Sequence, residues 1–247
     1  MPSKLTEEQL AIQDTIRQFV ANEVIPKSRE WDEEEKVPLD ALKMISELGL
    51  MGMVIDPKYE GSGLDFFTAA LVTEELAKGD GSLPLTIAAH NLCCGQIANF
   101  GSEEQKQKYL PDLATGRKIG GWALTEPGTG SDAGALKTRA VKEGGDWLIN
   151  GQKMFISNAT VGETFVILAS TDSEKKQKGI TAFILEKGDP GLQSGKKLEK
   201  MGMRSSDTSE LILDNVKVPD SRRLGDLDQG FINALMMLDK GRITVGA

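Results

Sequence analysis

Apolar residues recur with a helical period up to about Gly116, fall into short runs and alternations beyond it, and return to the helical period from Gly230. Thr6 and Gln9 have capping-box spacing, and Leu10, Ile12, Ile16, Phe19 and Val20 then share one face, which predicts a first helix. Pro26 is expected to close or kink it, because proline lacks the N–H and crowds the preceding turn. Pro38 opens a second helix that stops near Gly49. The turn Glu60-Gly61-Ser62-Gly63 leads to a third, with Leu71, Val72, Leu76 and Ala77 facing inward. Leu85 to Phe100 is mostly apolar and reads as a buried helix; Ser102 caps a further one, with Gln105 at the box position.

Beyond Gly116 the runs Ile119 to Leu124, Trp147 to Ile149, Phe165 to Ala169, Ile180 to Leu185 and Leu211 to Leu213 read as strands. Turns are expected at Glu143-Gly144-Gly145-Asp146 and at Asn150-Gly151. This is an all-β region of about 110 residues, a size typical of one domain. From Gly230, Phe231, Ala234, Leu235 and Leu238 share a helical face that is still running at Ala247. Such a face needs packing partners, so the chain is expected to be a truncated piece; a short terminal helix docked on the β region is the alternative. The fold class is therefore α+β. An all-α helical domain (1–117) precedes a β-barrel or sandwich middle domain (118–228), and residues 229–247 begin a further helical domain.

Composition narrows the function classes. With 39% hydrophobic and 27% charged residues in 247, a sizeable core is affordable. The net charge of −8 argues against a broad surface for nucleic acid or anionic membrane, since phosphates would be repelled. No apolar run approaches the roughly 20 residues that span a bilayer, and Met1-Pro2-Ser3-Lys4 shows no secretory or transit pattern, so a cytoplasmic location is expected. Cys93 and Cys94 are adjacent and read as two buried small residues rather than a redox pair. The single histidine, His90, excludes a multi-histidine metal site, and beside an apolar run it is more often a packed residue than a catalyst.

Candidate chemistry concentrates in Trp122-Ala123-Leu124-Thr125-Glu126-Pro127-Gly128-Thr129-Gly130-Ser131-Asp132. The glycines let backbone approach a ligand, and the hydroxyls of Thr125 and Ser131 add donors. The spacing is neither the dinucleotide fingerprint nor a P-loop. Composition alone leaves two readings open, a ligand-cradling loop and an ordinary Gly/Pro turn between strands.

The segment from Leu124 to Asp132 closely resembles the first signature of the acyl-CoA dehydrogenase family. Asn150 to Asn158 resembles its second flavin segment. Lys178-Gly179-Ile180-Thr181-Ala182-Phe183-Ile184, Lys200-Met201-Gly202-Met203-Arg204-Ser205-Ser206 and Leu238-Asp239-Lys240-Gly241-Arg242 follow in the family's order, and Gly101 to Lys106 fits the helical opening. The resemblance covers the whole chain, with short-chain, butyryl-type members nearest. It implies FAD as cofactor, lined by Trp122, Ala123, Leu124, Thr125, Gly130, Ser131, Phe155, Ile156 and Ser157. Phe155 takes a position usually held by Trp, and Ser157 one usually held by Thr. Ser131, Asp239 and Arg242 would contact the acyl-CoA substrate; residue chemistry alone leaves Asp239 and Arg242 open to being a solvated helix ion pair. The helix around Ile87 to Cys94 would wall the acyl pocket, with Ala88 and Ala89 leaving room for the acyl tail; close packing is the competing reason for those alanines.

The implied reaction is FAD-dependent α,β-dehydrogenation of an acyl-CoA thioester to the trans-2-enoyl-CoA, with electrons passed to an electron-transfer flavoprotein. Full-length relatives are usually homotetramers. The family's base is a Glu in a C-terminal helical domain, or in a minority of members the residue just before the helix arginine, which here is Gly241. No catalytic residue is therefore named, and residues 1–247 alone are expected to be inactive. Competing readings are an acyl-CoA oxidase-like relative and a non-catalytic binding or scaffold module.

Overall fold

The computed structural model describes residues 4–247; Met1 to Ser3 lie outside them. Helix α1 (Glu7–Phe19) starts at the Thr6/Gln9 capping box, both of whose hydrogen bonds form. Ile16 and Val20 are buried as predicted, whereas Leu10 is 46% exposed. Pro26 does not end the helical path. A π-helical turn, Val20–Val24, precedes α2 (Ile25–Glu34), and Pro26 falls at the start of α2, where an absent N–H is tolerated.

Helix α3 (Leu39–Glu47) closes through Gly49 at φ +73°, with Leu50 N–H donating to Ile45 O, a Schellman-type ending. Helix α4 (Phe66–Gly79) buries Val72 and Leu76 but exposes Ala77; Glu75 is inward instead, held by Arg17 and Lys78. Helix α5 (Ser82–Phe100) is buried over most of its length, and α6 (Glu103–Ala114) starts at the Ser102/Gln105 box. No helix among the described residues is long and apolar enough to cross a membrane.

Eight strands form one sheet: β1 (Gly120–Ala123), β2 (Arg139–Glu143), β3 (Asp146–Ser157), β4 (Thr164–Ser170), β5 (Ile180–Glu186), β6 (Leu192–Ser194), β7 (Thr208–Pro219) and β8 (Arg223–Leu224). The order is β6-β7-β3-β2-β4-β5-β8, with β1 also on β4. β1 runs parallel to Thr164–Ile167, while β2 reaches β4 only at Ser170. The connection between β1 and β2 emerges at this fork.

Strand parity sorts the core. Phe165, Ile167, Ala169, Phe183 and Leu185 face the interior of the sheet with Trp147 and Ile149, while Val166, Leu168, Ala182 and Ile184 face α5 and α6. With both faces covered, β4 and β5 read as continuous apolar runs. Gly144 at φ +62° makes the two-residue turn of the β2–β3 hairpin. Asn150-Gly151 is not a turn: β3 runs through it with a bulge, and a Cβ on Gly151 would stand 2.7 Å from Thr138 Cα.

The β6–β7 loop reaches back to the helices. Arg204 pairs with Asp32 at 2.6 Å, and Lys197 donates to Glu35 O. Helix α7 (Gly230–Gly246) packs through Gly230, Asn233, Ala234 and Met237. Leu235, expected on that face, is 44% exposed.

Candidate functional site

The site is assembled around the start of β1. This strand has a sheet partner on one side only, so side chains occupy the other. Gly120 N–H donates to His90 Nδ1 at 2.8 Å, and Asn158 Nδ2 donates to Gly120 O at 2.9 Å and Thr86 O at 3.0 Å. An accepting Nδ1 leaves the proton on Nε2, which faces Cys94 Sγ at 3.2 Å. Burial pushes the His90 pKa down to about 4, so the ring is neutral. The same burial pushes Cys93 up to about 12 and raises Cys94 well above its ordinary value, which makes both thiols unreactive. The lone histidine is a strut between α5 and β1.

The chain leaves β1 into a loop with a closed neck. Lys153 on β3 is fully buried, and its Nζ donates to Leu124 O at 3.1 Å and Glu126 Oε1 at 2.8 Å. The Glu126 carboxylate also accepts from the N–H groups of Lys137 (2.6 Å) and Thr138 (3.0 Å), where the chain returns. Burial opposes the charge on Glu126, but Lys153 and the two backbone donors outweigh it and hold the acid below its ordinary range. Burial likewise pushes Lys153 down to about 8 against the pull of Glu126. Sequence reasoning missed this pair. The signal was parity: Lys153 shares the inward phase of Trp147 and Ile149, and an inward lysine needs a buried partner.

Thr125 is tied to the second motif, since Met154 N–H donates to Thr125 O at 2.9 Å. At that point β3 bulges against β7, between Lys153 and Ile156. Phe155 sits in the bulge at φ +58° and is 64% exposed. A bulky residue in the left-handed region is costly, as is an uncovered aromatic ring, and both are recurrent marks of a ligand site.

Other candidates contribute unequally. Trp122 is partly buried, with its indole N–H on Gln96 Oε1. Ala123, Leu124 and Ile156 pack in the cores, so only their backbone is available to a ligand. Ser157 is half-buried at the end of β3; Gly130 and Ser131 are exposed. A Cβ at Gly130 would meet no protein atom within 4 Å, and its φ is not positive, so a clash with the turn itself is excluded. Thr129 Oγ1 is buried without a hydrogen-bond partner among the described residues.

Asp239 and Arg242 are exposed on α7, and among the described residues neither forms an ion pair. The Ser131 loop touches the first turn of α7: a Cβ on Gly134 would stand 3.7 Å from Phe231 Cζ. Arg242 lies about 16 Å further along the axis. A ligand touching both ends must be extended.

Between α4, α5 and α7 lies a cavity of about 390 Å³ lined by Ala88, Asn91, Leu92, Gly95, Leu238, Gly241, Arg242 and other mostly apolar residues. Ala88 faces it as expected; Ala89 does not line it. Among the described residues no carboxylate is in its wall. A side chain at Gly241 would point at Leu92 Cδ2, 3.2 Å from the Cβ position.

Residues 6–117 match the N-terminal domain of acyl-CoA dehydrogenases, and residues 121–216 match the middle domain. The short-chain-specific acyl-CoA dehydrogenase of Clostridium acetobutylicum is 44% identical over all of this chain, which spans 65% of that protein. Butyryl-CoA dehydrogenase from Megasphaera elsdenii superposes with a TM-score of 0.95 at 39% identity, over 99% of this chain and 65% of that one. A glutaryl-CoA dehydrogenase from Mycobacterium smegmatis, solved in complex with FADH2, superposes with a TM-score of 0.90 at 34% identity, over 96% of this chain and 60% of that one. Two domain matches in the expected order, on a fold shared almost throughout, place this chain in the acyl-CoA dehydrogenase family.

Proposed function

We propose that this chain holds FAD and an acyl-CoA thioester for α,β-dehydrogenation to the trans-2-enoyl-CoA. The observation that carries the reading is the β3 bulge. It presents the Phe155 ring to the outside at the point where Met154 N–H grips the Thr125 loop. The residues fit the cofactor: an exposed aromatic ring to pack on a flat ligand, hydroxyls of Thr125 and Ser157 for its polar edge, and open space above Gly130. Bound FAD would supply hydride acceptance at N5.

The chain's own residues do the positioning. Phe155 shields one face, Thr125 and Ser157 orient the ring edge, and Ser131 and Arg242 hold an extended thioester ligand at its two ends. The cavity beside Ala88 and Leu92 receives the acyl tail and excludes water from it. Removal of the α-proton is assigned to no residue here, because no carboxylate lines that cavity. The same observation favours a second reading for residues 1–247 taken alone, that of a binding module. The family resemblance supports an electron-transfer flavoprotein as acceptor, a homotetramer for a longer protein of this kind, and a cytoplasmic location.

The test is titration of the chain with FAD, followed by butyryl-CoA. Saturable flavin binding and a perturbed flavin spectrum on adding the thioester are expected, without bleaching of the flavin. Dye-linked oxidation of butyryl-CoA above a no-protein blank would overturn the assignment of no base, and failure to bind either ligand would overturn the function.

Ser157→Ala is expected to weaken FAD binding about three- to tenfold, since one neutral hydrogen bond contributes roughly 0.5–1.5 kcal/mol net. Thermal unfolding should be unchanged. A wild-type dissociation constant in the variant would remove Ser157 from the flavin site.

A further inference from the structure

A buried Lys–Glu pair is an expensive way to build a core, because desolvation offsets most of the attraction and two apolar residues would serve as well. Lys153 and Glu126 are nevertheless buried at 0% and 4% exposure. What apolar side chains could not do is hold backbone. Lys153 Nζ fixes the carbonyl of Leu124, and the Glu126 carboxylate joins the outgoing strand of the loop to the N–H groups of Lys137 and Thr138 on its return. Between these ties Pro127, Gly128, Gly130, Ser131 and Asp132 are all exposed, and the tip folds on itself through the backbone pair of Glu126 and Thr129, so its placement depends on the neck.

Peptide geometry turns this grip into an aim. In a trans peptide the C=O and the following N–H point in opposite directions. Drawing Leu124 O down to Lys153 therefore turns Thr125 N–H away from β3, and Met154 N–H fixes the next carbonyl in the same way. The peptide planes on both sides of Thr125 are thereby set, and with them the direction of its amide.

We propose that Lys153 and Glu126 are positioning residues for the flavin, setting the peptide planes at Leu124 and Thr125 and closing the neck of the loop that receives it. The proposal rests on the FAD reading above. Neither side chain touches the cofactor; both act through the loop backbone.

The experiment compares Lys153→Met with the double variant Lys153→Met/Glu126→Gln. Lys153→Met leaves a buried carboxylate short of its cation and should lower Tm by roughly 10 °C. The double variant buries no charge, and its carboxamide oxygen remains an acceptor for one of the two amides, Lys137 or Thr138, so part of that loss should return. Flavin affinity should not return: both variants are expected to bind FAD about tenfold or more weakly, because Leu124 O has lost its charged donor.

A double variant with recovered Tm and wild-type FAD affinity would show that the pair serves the fold alone and would overturn the proposal. If Tm does not recover, amide exchange decides: faster exchange confined to residues 124–130 supports positioning, and faster exchange spread through β4 and β5 overturns it. If the wild-type chain takes up no FAD, the cofactor reading fails by itself. The same exchange comparison then tests the loop, with unchanged protection at 124–130 in Lys153→Met counting against it.

Discussion

Gly130→Val is expected to cut flavin uptake at least about tenfold while leaving the fold intact. Valine could lower flavin content through a strained turn, through collision with protein, or through collision with cofactor. The first two are absent: φ at Gly130 is not positive, and a Cβ there meets no protein atom within 4 Å. Only a ligand drawn up to the backbone would be struck, and a clash of ~1.4 kcal/mol is already a factor of ten in dissociation constant. The flavin-to-protein absorbance ratio of the folded, monodisperse fraction reads the effect. A pale variant with wild-type Tm places FAD against this loop. A fully yellow variant would remove the loop from the site and leave Phe155 and Ser157 to carry it.

How much of this was legible in the sequence depends on where the determining contacts lie. The Thr6/Gln9 and Ser102/Gln105 caps are local, and both form as predicted. β4 and β5 were readable because both faces are buried, which leaves unbroken apolar runs. β2 was missed because it buries only Ala140, and β6 and β8 because at three and two residues they exist through their pairing. Asn150-Gly151 carried a strong turn signal, yet the glycine serves a close approach by Thr138 across the sheet. Pro26 carried a breaker signal that the π-turn before it absorbs. At the candidate site, both motifs were visible, and their junction through Thr125 O and Met154 N–H was not. The Lys153–Glu126 pair was invisible as a pair because its members stand far apart in sequence and meet only once the loop after β1 packs on β3.

Stability is expected to fall by about 2–3 kcal/mol as pH drops from 7 to 4.5, through His90. The folded chain holds this imidazole neutral at a pKa of about 4, because it is buried and its Nδ1 is committed to Gly120 N–H. In the unfolded chain it titrates near 6.5. Between those values the unfolded state binds the extra proton, so stability is fully present above about 6.5 and is lost as pH falls toward 4. The thiols around it stay neutral throughout: Cys94 faces Nε2, and its pKa is raised well above the ordinary value. Carboxylates contribute their own acid loss, chiefly lower on the scale, so the histidine term is isolated by difference. His90 is the only histidine in the chain, and His90→Asn keeps a side-chain acceptor for Gly120 without a group that titrates in this window. Urea midpoints across pH 7 to 4.5 should drop steeply for wild type and far less for the variant, with the curves converging at the acid end. Parallel curves would mean that His90 takes up its proton in the folded state, and the strut between α5 and β1 would then have to tolerate a charged imidazole.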